Sequence, residues 1–179
     1  MARIAFVLLV ALLLTLIVPA GAQNAPSVVV SDQVSLDGTV RIDSAYSEGP
    51  GWVVIHIDNG EGRPGPVIGY AALNSGANHN ISVPIDATQA TPTLFAMLHA
   101  DTGEAGVYEF GTVEGADGPV RDADGNVITP SFNVDIIYAH DQLLGDGNTV
   151  SIAAVVAQAD GWLVIHQGVD GAPGPVAGY

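Results

Sequence analysis

The sequence predicts an all-β protein: an immunoglobulin-like β-sandwich of about seven to eight strands, tandemly repeated, behind an N-terminal signal helix. Three observations carry that expectation. Short apolar or alternating runs recur between Asp-Gly and Asn-Gly turns. The 179 residues include 22 Gly and 11 Pro, which favours a chain of many turns. Beyond the first twenty or so residues, no stretch sustains a helical period.

The elements follow in order. Arg3, an apolar run from Ile4 to Val18, and then Pro19-Ala20-Gly21-Ala22 describe a secretory signal peptide over residues 1–22, cleaved before Gln23. The run is shorter than the ~20 residues a bilayer-spanning helix needs. No membrane insertion is therefore expected after cleavage. Ser27–Val30 is the first strand, and Thr39–Asp43 alternates with period two after Asp37-Gly38. Gly51-Trp52-Val53-Val54-Ile55-His56 is apolar on both parities, as a strand covered on both faces must be. Pro66–Leu73 and the alternating Asn80–Ile85 come next. Thr93–His99 is the second doubly covered strand, Val107–Phe110 a short one, and Val127–Val134 closes the set.

The chain then begins again. Gly161-Trp162-Leu163-Val164-Ile165-His166 repeats the central strand, and Trp162 follows Trp52 by 110 residues. Asp141-Gln142 answers to Asp32-Gln33, and Pro173–Tyr179 answers to Pro64–Tyr70. Three matched blocks in one order make a tandem repeat: residues 25–134 are a first β-sandwich and residues 135–179 an incomplete second one. The second copy stops before its own version of Thr93–His99. The expectation is that this chain is the front of a longer protein, with completion by strand addition from another chain as the lesser reading.

Composition restricts function. Hydrophobic residues make up 48% and charged residues 13%, enough apolar content for a core. Nineteen acids face four basic residues, all Arg, for a net charge of −15. Nucleic acid and anionic surfaces are excluded as partners, because binding there needs cations to displace counterions. There is no Cys, hence no disulfide and no thiolate chemistry.

Two segments carry a resemblance. The Asp-Gln … Asp-Gly-Thr-Val opening leads to Gly51–His56, and Ala96-Met97-Leu98-His99-Ala100-Asp101-Thr102 is followed by Gly106–Phe110. Together they resemble an uncharacterised secreted domain, often in tandem, of salt-loving archaea and some bacteria. The resemblance covers about residues 25–134 and the partial copy. It implies an immunoglobulin-like sandwich at or outside the cell surface, and it implies no activity.

Candidate chemistry is sparse. His56, His99 and Asp101 offer imidazole and carboxylate ligands for copper or zinc. Antiparallel pairing of their strands is expected to put the two histidines toward opposite ends of the sheet, which favours a plain structural role. Asp117, Asp122 and Asp124 could form a loose calcium site. Counting from Asp122 the EF-hand pattern fails, and Asp124-Gly125 reads better as a hairpin turn. Trp52, Tyr70, Tyr108 and Phe110 would suit sugar stacking, with Trp52 better read as core. Asn80-Ile81-Ser82 matches a glycosylation acceptor. Nucleophile elbows, zinc-protease motifs and phosphate loops are missing, so no catalytic residue and no obligatory cofactor is assigned. The leading reading is a non-catalytic spacer or interaction module of a secreted or surface protein. Its partners would be other surface proteins or further repeats of the same chain. The alternative is a module that binds a divalent metal or a glycan.

Overall fold

A computed structural model of the chain describes residues 24–179, and the expected signal peptide lies outside the described residues. Eleven strands form: β1 Ser27–Val29, β2 Gln33–Ser35, β3 Thr39–Ser47, β4 Gly51–Asp58, β5 Pro64–Leu73, β6 Gly76–Pro84, β7 Thr93–Ala100, β8 Ser131–Tyr138, β9 Ala154–Val156, β10 Ile165–Val169 and β11 Ala172–Gly178. Among the described residues one 3-10 turn, Ala87–Gln89, precedes β7. Among the described residues no helix is long and apolar enough to cross a membrane.

Two sheets make the main body. One has the order β1-β3-β6; the other runs β2-β8-β7-β4-β5, with β9 added to β8. All pairings in them are antiparallel except β2 with β8. Alternation sets the core. Val40 and Ile42 of β3 meet Val53 and Ile55 of β4, Leu94, Ala96 and Leu98 of β7, and Phe132, Val134 and Ile136 of β8. These residues are nearly all fully buried, so the layer between the sheets is dry and apolar.

β4 and β7 are buried along almost their whole length on both parities, as their sequences predict. The second cover is not a sheet. It is the long connection from β7 to β8, residues 101–130. Its first part lies over the outer face of the sheet. Its second part hydrogen-bonds beside β7, with Val120 N donating to Leu98 O at 2.8 Å and Leu98 N donating to Ile128 O at 3.0 Å.

Three expectations change. Val107–Phe110 is not a strand but part of this covering loop. The closing strand is 131–138 rather than 127–134, and it runs through the boundary expected at 134/135. Trp52 is buried, at 6% exposure, but on the outer face rather than between the sheets. Strand parity puts Trp52, Val54 and His56 opposite in direction to Val53 and Ile55. Gly51 is needed where β4 enters the sheet: a Cβ there would sit 2.5 Å from the carbonyl oxygen of His99.

In the second segment the strand expected over Gly161–His166 forms only from Ile165, as β10, and its pairing with β11 matches that part of the β4–β5 hairpin. Ile165 pairs with Gly178, His166 with Val176 and Gly168 with Pro173. Ile55 pairs with Gly69, His56 with Val67 and Asp58 with Pro64, with register shifts at the same two places. Gln142 brackets Ser151, accepting from its N at 2.7 Å and donating to its O at 2.7 Å. Gln33 does the same for Arg41 at 2.8 and 3.0 Å.

Candidate functional site

The outer face of β4 and β7 carries the densest chemistry in the molecule. Register places Trp52 opposite His99, Val54 opposite Met97, and His56 opposite Phe95. All six are buried. The covering loop adds Tyr108 and Phe110, and β5 adds Tyr70. Trp52 meets Tyr70 edge-on at 5.8 Å and Tyr108 at 5.5 Å. Tyr70 and Tyr108 stack at 4.0 Å. Phe110 sets its edge against His99 at 4.6 Å and reaches His56 at 6.4 Å. The four aromatics singled out in the sequence thus meet in one cluster, of which only Tyr70, at 47% exposure, shows substantial surface.

His56 and His99 belong to the same cluster. Their strands are antiparallel, and His99 lies four positions from Phe95, the residue facing His56. Opposite ends of the sheet were expected. Instead the side chains lean over the intervening Val54–Met97 pair, and the ring centres stand 5.8 Å apart. Each ring is anchored from behind. Nδ1 of His56 lies 2.7 Å from the carbonyl of Gly65, and Nδ1 of His99 lies 2.6 Å from the carbonyl of Asp117. A carbonyl can only accept, so Nδ1 carries the proton in both rings. The other nitrogens, both Nε2 atoms, are buried without a hydrogen-bond partner, as are Trp52 Nε1 and the Tyr108 hydroxyl. Burial lowers the pKa of His56, with the Gly65 carbonyl partly offsetting it. Burial also pulls His99 down to about 4, with the nearby His56 acting in the same direction. Both rings are neutral at pH 7 and present a lone pair at Nε2. Burial raises the Tyr108 pKa, keeping its hydroxyl protonated.

The loop that closes this cluster is organised by Asp117. The residue is fully buried and has φ 48°, a left-handed conformation that Asp and Asn tolerate better than most residues. Its carboxylate accepts from Thr102 N at 2.8 Å and Glu109 N at 2.7 Å. Its backbone N donates to the Thr102 hydroxyl at 2.9 Å. One aspartate therefore ties both ends of the loop together while its carbonyl orients His99. Nothing in the sequence around Asp117 distinguishes it from the surface acids; only the fold does.

The remaining predicted site residues lie apart. Asp101 does not join the histidines, because its Oδ2 accepts from Gly106 N at 2.9 Å to hold the loop. Asp122 makes the hairpin turn expected of it, accepting from Asp124 N at 3.0 Å and Asn126 N at 2.8 Å. These bonds lower its pKa, the backbone bond from Asn126 most. Asp124 is exposed. The three calcium candidates are thus a buried loop organiser, a turn residue and a surface acid. Among the described residues no three His, Cys, Asp or Glu side chains gather as a metal-ligand set. Asn80 is exposed on β6, an edge strand, with φ 51°.

Comparison with known proteins places the chain in a family. The profile of a domain of unknown function, DUF7282, matches residues 26–135, and the chain belongs to that family. Over 113 residues it is 33% identical to cell surface glycoprotein 1 of Haloarcula hispanica, an alignment covering 62% of this chain and 12% of that protein. The chain thus spans a small part of the curated relative's length. No solved structure matches.

Proposed function

We propose that this member of the family is a non-catalytic module of a secreted or cell-surface protein, one of several immunoglobulin-like sandwiches in tandem. The observation that carries the reading is the agreement of the two hairpins. The His166 Nδ1 to Gly174 carbonyl distance is 2.7 Å, matching that of His56 and Gly65. Trp162 meets Tyr179 at 6.0 Å and 88°, as Trp52 meets Tyr70 at 5.8 Å and 89°. One local design used twice is the mark of a repeated unit whose value lies in number and spacing.

The strand order supports the immunoglobulin-like part of the reading. Sheets β1-β3-β6 and β2-β8-β7-β4-β5, with β2 parallel to β8, follow the two-sheet division of that architecture. The relative's description as a cell surface glycoprotein supports the location, and so does a net charge of −15, which suits a salt-rich exterior. In the second unit Trp162 is 84% exposed. In the first unit β7 lies beside β4 in the sheet, and the 101–117 loop covers the face that carries Trp52.

The test is fractionation of cells producing the protein, with protease shaving of intact cells and N-terminal sequencing of the released chain. Loss of the chain from intact cells and a mature start at Gln23 are expected. Protection from protease with Met1 retained would refute the reading.

A further inference from the structure

The outer-face cluster holds two buried imidazole nitrogens without hydrogen-bond partners, and nothing in the surface-module reading uses them. Both rings are held in the tautomer that metal-ligating histidines adopt, with Nδ1–H on a backbone carbonyl and Nε2 free. Their separation fits a bridged ion. With metal–nitrogen bonds of ~2.0–2.1 Å, two imidazoles on one ion stand about 5 to 6.5 Å apart between ring centres, depending on the angle at the metal. The observed distance is 5.8 Å.

The surroundings select the ion. Among the described residues no carboxylate joins the pair, so a dication would be buried with neutral donors only. Zinc would further lack its usual four ligands. Met97 occupies the register position between the two histidines on this face and is itself buried. Thioether and imidazole donors favour cuprous copper, which carries a single charge. We propose that His56 and His99 bind one Cu(I) ion through their Nε2 atoms, with the Met97 thioether as third donor. Asp101, the carboxylate expected from the sequence to complete the set, stays outside it. His166 repeats the carbonyl-anchored half of the site but is exposed.

The test is an anaerobic titration of the whole chain with Cu(I) in ascorbate, against a chromophoric Cu(I) chelator such as bathocuproine disulfonate. The expected result is one copper withheld per chain. Loss of an outer-shell partner alone weakens metal sites ~10–100-fold, so His56→Gln and His99→Gln should each weaken binding by at least about 100-fold. Met97→Leu should weaken it less, and His166→Gln not at all. Should a variant misfold, the wild-type chain still decides: long-range ¹⁵N spectra should show the Nε2 resonances of His56 and His99 moving together on copper addition. Copper retained by both His→Gln variants, unmoved Nε2 resonances, tighter retention of Zn(II), or no binding would each overturn the proposal. In the last case water is left as the partner of these nitrogens.

Discussion

Trp52 and Trp162 each meet a tyrosine at nearly a right angle, and one is 6% exposed while the other is 84% exposed. Trp52 lies within β4, whereas Trp162 precedes β10. Around Trp52 the burial is made by β7, which pairs beside it, and by Tyr108 of the 101–117 loop. The pair therefore separates what a hairpin encodes from what tertiary cover adds. Truncating each to Ala should give opposite results. Trp52→Ala should cost ~3–5 kcal/mol, the range for large aromatic truncations in well-packed sites. Trp162→Ala should change stability by no more than about 0.5 kcal/mol. Urea unfolding followed by circular dichroism measures both, and equal costs would contradict the assigned burial.

The stability of the first unit should depend on pH through His99. Its folded pKa, about 4, lies below the ordinary 6.5 because the ring is buried. Between those values the unfolded chain binds the proton and the folded one resists it. The stabilisation is thus fully present above pH 6.5 and lost as pH falls toward 4. His56, lowered by burial as well, adds to the loss in the same direction. A decrease on the order of 3 kcal/mol between pH 7 and pH 4 is expected from His99. Unfolding curves of wild type and His99→Gln across this range measure it in metal-free buffer. A loss of the same size in the variant would assign the effect to carboxylates instead.

Asp117 should behave as the fastening of the cover. Asp117→Asn keeps a residue suited to the positive φ of 48° and one acceptor oxygen, but it turns a donor toward the Glu109 or Thr102 amide. The cost should be ~1–3 kcal/mol, that of leaving a buried amide without an acceptor. Hydrogen exchange should quicken at Thr102 and Glu109 while β3 stays protected. Unchanged exchange at both amides would show that the loop is held by other means.

Asn80 should be modified when the chain is exported through an N-glycosylating pathway. The side chain is exposed, and its left-handed backbone sits where the β3–β6 ladder skips a pair, between Ile42–Ile81 and Ser44–His79. The measurement is the mass of the secreted protein, with an added glycan absent from both Asn80→Gln and Ser82→Ala. An unmodified wild-type mass from such a host would remove Asn80 from consideration.

Much of the fold is legible in local pattern. The doubly apolar runs Gly51–His56 and Thr93–His99 announce strands covered twice, and β4 and β7 are such strands. Parity alone also assigns Trp52, Val54 and His56 to one face and Val53 and Ile55 to the other. Parity does not say which face meets the second sheet. That is why Trp52 reads as core in the sequence and lies in the outer cluster in the fold. Val107–Phe110 misleads for a similar reason: its apolar residues are there to cover a sheet face, and a loop does that without a ladder.

β5 begins at Pro64 rather than Pro66 and β10 at Ile165 rather than Gly161, but the residues of the chain by themselves determined the β class, the start of β4 and the pairing of neighbouring runs into hairpins. These depend on alternation, turn chemistry and pairing between neighbours in sequence, and the β4–β5 and β10–β11 hairpins reproduce them with the same register. Tertiary structure alone decided the meeting of His56 with His99, the exclusion of Asp101, and the conversion of Asp117 from surface acid to buried organiser. Each depends on how a loop of about thirty residues closes over a sheet face, a long-range closure whose outcome rests on burial rather than on local propensity. In the similar run Gly161–His166, both Trp162 and His166 are exposed, so burial and not the local sequence makes the cluster around Trp52.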